Sequence, residues 1–129
     1  MRLFLFFIFL ITPFTLSAEV LRVVILGSGT PRLDIDRFSQ SILVEAGEEK
    51  LLFDTGRGTA IRLSQMNVNL SSINNIFFTH LHSDHIVGFP DVLMTGWVYQ
   101  REKILNIFGP SGTKKFVENI KNAFNEDIK

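Results

Sequence analysis

All three histidines of this 129-residue chain lie within six residues, and an aspartate lies among them. The segment reads His80-Leu81-His82-Ser83-Asp84-His85. It follows the apolar run Ile76-Phe77-Phe78, which predicts a buried strand. Alternate residues of an extended segment project to one side, so we expect His80, His82 and Asp84 to converge while His85 turns away.

Imidazole and carboxylate groups are the ligands expected for zinc, or for iron or manganese in a related site. The chain has no cysteine, whereas structural zinc sites usually recruit cysteine thiolates and close their coordination shell. The segment therefore predicts a catalytic metal site at the exit of a strand. The alternative is three neighbouring histidines without a shared role, and their spacing beside Asp84 disfavours it.

The same segment matches the His-x-His-x-Asp-His signature of the metallo-β-lactamase superfamily. Two further segments precede it in the order that this superfamily uses, Val24-Ile25-Leu26-Gly27-Ser28-Gly29-Thr30-Pro31 and Leu51-Leu52-Phe53-Asp54-Thr55-Gly56-Arg57-Gly58. From about Leu21 onward the chain resembles the N-terminal half of a ribonuclease Z or arylsulfatase-type member. Residues 90–97 are more similar to the periplasmic arylsulfatase-like and phosphodiesterase-like branch than to tRNA-processing enzymes. The implied fold is α/β, with one mixed sheet and flanking helices forming the N-terminal half of the αββα sandwich.

The resemblance also implies a role for each residue of the cluster. His80 and His82 would bind one zinc ion, and Asp84 and His85 would bind a second, with manganese or iron as alternatives. A metal-bound hydroxide would be the nucleophile, because metal binding lowers the pKa of water toward neutrality. Asp84 would be the catalytic residue that orients this nucleophile and accepts its proton. Asp54 would support the ligand loop by hydrogen bonding, although a turn aspartate before glycine is an equal alternative.

The superfamily also needs later ligands that this sequence does not show, since no histidine follows His85. We therefore expect residues 19–129 to be a partial domain, with the C-terminal half absent. Its sheet would have an uncovered apolar face, so we expect association or instability, and either the missing half or a homodimer partner as its cover. The isolated chain is expected to hydrolyse its ester substrate poorly or not at all.

Residues 1–18 have the features of a secretory signal peptide. Arg2 supplies a positive charge, residues 3–11 are an unbroken apolar run, and small residues end the segment at Ser17 and Ala18. The run is shorter than the about 20 residues of a membrane span, so we expect a secreted or periplasmic protein without a stable membrane anchor. A retained anchor or a core strand is the competing interpretation.

The charge balance and the expected export both disfavour a nucleic acid as the substrate. Lys+Arg and Asp+Glu number 13 each, without a basic stripe, which disfavours a nucleic acid without excluding it. A small phosphodiester or sulfate ester is the leading substrate class, and lactams or lactones are further options.

Two other functions fit parts of the sequence. Asp54-Thr55-Gly56 after two apolar residues resembles the aspartic proteases of the dimeric retroviral type, in which Asp54 of two subunits would share a proton. Arg57 stands where that family has a small residue, and the histidines would have no role. The other alternative is a non-catalytic fragment that binds metal weakly.

Apolar periodicity predicts the elements that position these residues. We expect strands at 21–26, 76–79 and 104–108, a hairpin of strands 41–45 and 50–54, and helices at 59–66 and 91–99. A last helix, capped by Ser111 or Thr113, would present one apolar face made of Phe116, Val117, Ile120, Ala123 and Phe124.

Overall fold

The computed structural model describes residues 21–127. The predicted signal peptide lies outside these residues. Within residues 21–127, no helix has the length and apolar character needed to cross a membrane.

The described residues form a five-stranded mixed sheet in the order β1-β2-β3-β4-β5. Its strands are β1 Leu21–Gly27, β2 Ser41–Ala46, β3 Glu49–Phe53, β4 Asn75–Phe77 and β5 Asn106–Phe108. β1, β2 and β3 pair antiparallel, while β3, β4 and β5 pair parallel. The carboxyl ends of β1, β3, β4 and β5 therefore meet at one edge of the sheet, and the loops that follow these strands lie together.

Helices cover one face of this sheet. They are α1 Thr59–Gln65, α2 Ser83–Ile86, α3 Phe89–Val98 and α4 Thr113–Ala123, with a 3₁₀ turn at Leu70–Ser72. The strand residues Leu43, Leu52 and Ile76 are fully buried beneath them, together with Leu63 of α1 and Phe89 of α3. Such side chains on two facing layers form the hydrophobic core that fixes the sheet against the helices. The predicted fold class, a mixed sheet with flanking helices, is confirmed.

The opposite face of the sheet is apolar and open in the described part of the chain. Val23 is 60% exposed and Ile25 is 68% exposed. On the same face Phe53, Phe77 and Phe108 stack across three neighbouring strands, with ring centroids 5.0 Å and 4.8 Å apart. Within residues 21–127, the helical layer thus covers only one side of the sheet.

The element predictions are confirmed for β1, the hairpin and α1, and the differences lie at element ends. The last strand is shorter than predicted and begins at Asn106. The predicted cap of α4 is wrong, because Gly112 occupies the N-cap position with φ 98°. Thr113 instead donates its hydroxyl to the carbonyl oxygen of Pro110, so its side chain is not free to cap.

Candidate metal centre

The histidine segment leaves the sheet at the carboxyl end of β4 and turns into the short helix α2. His82 is still extended, with φ −71° and ψ 151°, and it is the residue before the helix begins at Ser83. The alternation expected over 80–84 therefore ends at His82, because each helical residue rotates the side-chain direction by about 100° instead of 180°. As a result, the expectation that His85 turns away is wrong: its ring lies against that of His80, with centroids 3.9 Å apart.

The structure brings the predicted ligands into one cluster. The ring centroids of His80 and His82 are 4.6 Å apart. The carboxylate Oδ2 of Asp84 lies 3.7 Å from Nε2 of His85. Only 12% of the Asp84 side chain and 14% of the His85 side chain are exposed. A carboxylate with so little water around it requires compensating polar or cationic partners, so these surroundings favour a bound cation.

Asp54 lies at the carboxyl end of β3 and contacts the histidine segment directly. Its carboxylate accepts hydrogen bonds from the Thr79 backbone N–H at 2.8 Å, the Thr79 hydroxyl at 2.8 Å and Nδ1 of His85 at 2.7 Å. The residue is buried and has φ 58°, in the left-handed region that a non-glycine residue adopts at a cost of about 1 kcal/mol. The carboxylate is therefore held toward His85 by its neighbours, and it is not exposed for sharing a proton with a second subunit as the protease alternative requires.

Backbone hydrogen bonds join the loop after β3 to α2. Thr55 donates its N–H to the His85 carbonyl at 2.7 Å, and Gly88 donates its N–H to the Thr55 carbonyl at 2.8 Å. This approach depends on glycine, because a Cβ at Gly56 would lie 2.5 Å from the Asp84 carbonyl oxygen and one at Gly88 would lie 2.2 Å from the Gly56 carbonyl oxygen. The histidine segment and the loop after β3 are thus held together by backbone hydrogen bonds and close packing.

The donor atoms fit a metal centre in kind and in spacing, but the described residues do not complete it. Since His85 uses Nδ1 to donate to Asp54, its Nε2 carries the free lone pair. Two ligands on one tetrahedral zinc ion lie roughly 3.4 Å apart, close to the 3.7 Å between His85 Nε2 and Asp84 Oδ2. Within residues 21–127, however, no group of three or more His, Asp or Glu side chains is arranged to hold one ion. To hold a metal ion, the cluster would therefore need further ligands.

One residue of the site has no counterpart in the sequence prediction. Thr79 lies between the strand and the first histidine, and its hydroxyl is within 3.0 Å of both Asp54 Oδ2 and His80 Nδ1. Its partner Asp54 is 25 residues away in sequence, so the contact depends on the pairing of β3 with β4. A single threonine before a histidine does not predict this contact with Asp54 from the sequence.

Comparison with known proteins gives one family and several partial relatives. The family model described as Anti-Pycsar protein Apyc1 matches residues 21–122. A ribonuclease Z from Mycobacterium bovis is 41% identical over 112 residues, which is 84% of this chain and 40% of that protein. The crystal structure of human tRNase Z, short form, superposes with a TM-score of 0.73 at 30% identity, covering 80% of this chain and 40% of that one. The metallo-β-lactamase fold protein YhfI from Bacillus subtilis superposes with a TM-score of 0.69 at 19% identity over 79% of this chain and 41% of that chain.

These similarities cover only part of the length of the relatives. The chain spans about 40% of the length of the ribonuclease Z and tRNase Z proteins it matches. Within the aligned part, the family model covers the sheet and nearly all of α4. The chain belongs to the Anti-Pycsar protein Apyc1 family, within the metallo-β-lactamase superfamily.

Proposed function

We propose that this chain carries one part of the metal-binding site of a zinc-dependent hydrolase that cleaves phosphodiesters. The observation that carries the proposal is the hydrogen bond from His85 Nδ1 to Asp54 at 2.7 Å, which leaves Nε2 of His85 directed toward the carboxylate of Asp84 at 3.7 Å. Histidine ligands of metal ions commonly donate their second ring N–H to a carboxylate in this way.

Each residue has a distinct task in this proposal. His80 and His82 would hold one ion, and Asp84 and His85 would hold the second, with manganese or iron as alternatives to zinc. The chemistry that such ions would supply is a nucleophilic water near neutral pH and charge stabilisation in an ester displacement. Asp84, which is largely buried, would accept a proton from the attacking water, while Asp54 keeps the His85 ring in position.

The substrate class rests on the relatives together with the site. The matched proteins named ribonuclease Z and tRNase Z make a phosphodiester the leading choice. RNA is therefore a second candidate beside a small phosphodiester, although the balanced charge of the chain favours the small ester. A sulfate ester is the third candidate. Export to the periplasm or the outside, as the N-terminal segment predicts, would separate the protein from tRNA.

The remaining ligands would come from outside the described residues, either from a C-terminal half or from a partner subunit. The partial site in residues 21–127 and the 40% coverage of the relatives both support this division. The chain alone is then expected to bind zinc and to hydrolyse esters poorly. A non-catalytic metal-binding fragment gives the same result for the isolated chain, and activity restored by an added C-terminal half distinguishes the two.

Zinc uptake by the purified chain tests the proposal. The chain is dialysed against zinc, and bound metal is measured together with hydrolysis of bis(4-nitrophenyl) phosphate, 4-nitrophenyl sulfate and a short RNA. We expect zinc binding in the native chain and a decrease in affinity of more than about a hundredfold for Asp84→Asn, because the substitution removes a charged ligand, whereas loss of a supporting contact typically costs about tenfold to a hundredfold.

Asp91→Asn is the matched control. Asp91 is an exposed carboxylate on α3 that accepts a hydrogen bond from Thr95 at 3.0 Å, so zinc affinity should stay unchanged. A native chain that takes up no zinc, or equal affinity in both variants, would overturn the proposed site.

A further inference from the structure

The hydroxyl of Thr79 lies close to one proposed ligand of each of the two ions, His80 and His85. Its oxygen lies 2.8 Å from Asp54 Oδ2, 3.0 Å from His80 Nδ1 and 3.4 Å from His85 Nδ1. The backbone N–H of Thr79 also donates to the other carboxylate oxygen of Asp54 at 2.8 Å. Thr79 is therefore anchored to Asp54 through two atoms and contacts rings that belong to both ions of the proposed site.

The direction of each hydrogen bond follows from the number of protons available. A threonine hydroxyl has one hydrogen to donate and two lone pairs, while a carboxylate only accepts. The Thr79 O–H must therefore point to Asp54, which leaves a lone pair facing His80. Nδ1 of His80 can make its 3.0 Å contact only as a donor, so His80 carries its proton on Nδ1 and has a free lone pair on Nε2.

The same reasoning fixes His85 through a different partner. Its Nδ1 donates to Asp54 Oδ2 at 2.7 Å, a shorter contact than the 3.4 Å to the Thr79 hydroxyl. His85 thus depends on the carboxylate, and His80 depends on the hydroxyl that the carboxylate orients. In contrast, the ring of His82 has no hydrogen bond to protein in the described residues; its contact there is with the His80 ring.

We infer that Thr79 is a positioning residue that sets the tautomer of His80, so that Nε2 is the nitrogen offered to a metal ion. The inference deepens the proposed function and rests on it for the role of the lone pair. The tautomer itself is a property of the metal-free chain. It can therefore be measured whether or not the chain binds zinc.

Nitrogen-15 NMR of the histidine rings tests the inference directly, because long-range couplings distinguish a protonated Nδ1 from a protonated Nε2. Spectra are recorded on the metal-free chain in alkaline buffer, where imidazole is neutral. The sequence has three histidines, so the ring signals of His80 and His85 need only be distinguished from those of His82, which is exposed. We expect protonated Nδ1 at both His80 and His85 in the native chain.

Two substitutions at Thr79 separate the hydroxyl from the shape of the side chain. Thr79→Val keeps the branched shape and removes the hydroxyl, so His80 should shift to a mixture of tautomers while His85 keeps its proton on Nδ1. Thr79→Ser keeps the hydroxyl and should retain the native pattern at both rings. Thr95→Val, which removes another threonine hydroxyl that donates to an aspartate, should leave all three rings unchanged.

Zinc affinity provides the second readout. We expect Thr79→Val to weaken zinc binding by about tenfold to a hundredfold and Thr79→Ser to restore most of it, since loss of such supporting contacts typically has this effect. A native spectrum with His80 protonated on Nε2 would overturn the inference even if Thr79→Val fails to fold. An unchanged His80 tautomer in a folded Thr79→Val chain would overturn it as well. Absence of zinc binding with the expected tautomers would instead refute the proposed function alone.

Discussion

Asp54 is the residue on which the geometry of the site depends most. It sits in a left-handed backbone conformation, with φ 58°, and accepts hydrogen bonds from two groups of Thr79 and from His85. Both carboxylate oxygens act as acceptors. An amide of the same size has a single acceptor oxygen, because its nitrogen donates.

This requirement predicts the effect of Asp54→Asn. Asparagine tolerates the left-handed conformation, so the fold should be retained. Depending on the orientation of the amide, its N–H₂ group would face either the Thr79 N–H, or both the Thr79 hydroxyl and His85 Nδ1. In either orientation His85 would lose a charged acceptor. We expect zinc affinity to decrease by about tenfold to a hundredfold, measured by competition with a chromophoric chelator, while far-ultraviolet circular dichroism stays native.

Asp34→Asn provides the comparison for that experiment. Asp34 accepts hydrogen bonds from the backbone N–H groups of Asp36 and Arg37 in an exposed loop, and its substitution should not change zinc affinity. Equal zinc affinity in Asp54→Asn and the native chain would show that the contact with His85 does not support a ligand.

At the level of elements, Arg101 joins α3 to the 3₁₀ turn at Leu70–Ser72. Its guanidinium donates to the carbonyl oxygens of Ile73 at 3.1 Å, Leu70 at 3.2 Å and Val92 at 3.4 Å. Burial lowers the pKa of Arg101, because desolvation disfavours the charged form. The side chain occupies the space next to Gly96, where a Cβ would lie 1.9 Å from the guanidinium nitrogen. Arg101 therefore packs against the core at the C-terminal end of α3, which is the end farther along the chain from the histidine segment.

Arg101→Lys should destabilise the protein, because one ammonium cannot reach three carbonyl groups that the planar guanidinium reaches together. The Leu70 carbonyl also accepts the Ile73 N–H at 3.2 Å, so the main loss is the donor to the carbonyl of the buried Ile73. This loss is expected to lower the free energy of unfolding by about 1–3 kcal/mol, measured by urea denaturation. Arg22→Lys, at an ion pair with Glu45 in which the arginine side chain is 59% exposed and the glutamate side chain 21% exposed, should cost less than about 1 kcal/mol. Equal losses in the two variants would contradict the role of Arg101 in joining these elements.

The elements also show what the sequence could and could not predict. Alternating apolar residues predict the hairpin of β2 and β3, and the clustered histidines predict where the candidate ligands lie, because both signals are local. The four-residue helix α2 is too short to show a period of 3.6, so the position of His85 was predicted wrongly. Arg101 and Thr79 contact partners 28 and 25 residues away, and such contacts depend on how the elements pack.

At the scale of the whole molecule, the described residues bury one face of the sheet and leave the other exposed. The exposed face carries Val23, Ile25 and the ring stack of Phe53, Phe77 and Phe108. Contiguous apolar patches of this kind on a soluble protein usually mark a surface that is covered in the functional state. The chain spans about 40% of its relatives, and we expect the uncovered face to associate with other copies when the chain is studied alone.

Substitution of Ile25 by Glu tests this expectation on one residue of β1. The side chain is 68% exposed, so the substitution buries no new charge in the monomer and should leave its fold intact. In an associated state the carboxylate would be removed from water without a partner, which is costly. Sedimentation velocity should therefore show concentration-dependent association of the native chain and a dissociation constant at least about tenfold higher for Ile25→Glu, equivalent to about 1.4 kcal/mol.

Ile35→Glu makes the same chemical change in the loop between β1 and β2, where Ile35 is 84% exposed and lies off the sheet. If Ile35→Glu weakens association as much as Ile25→Glu does, general apolar exposure drives the association. If neither variant changes it, the contact lies elsewhere, and the exposed Trp97 of α3 becomes the next surface to substitute.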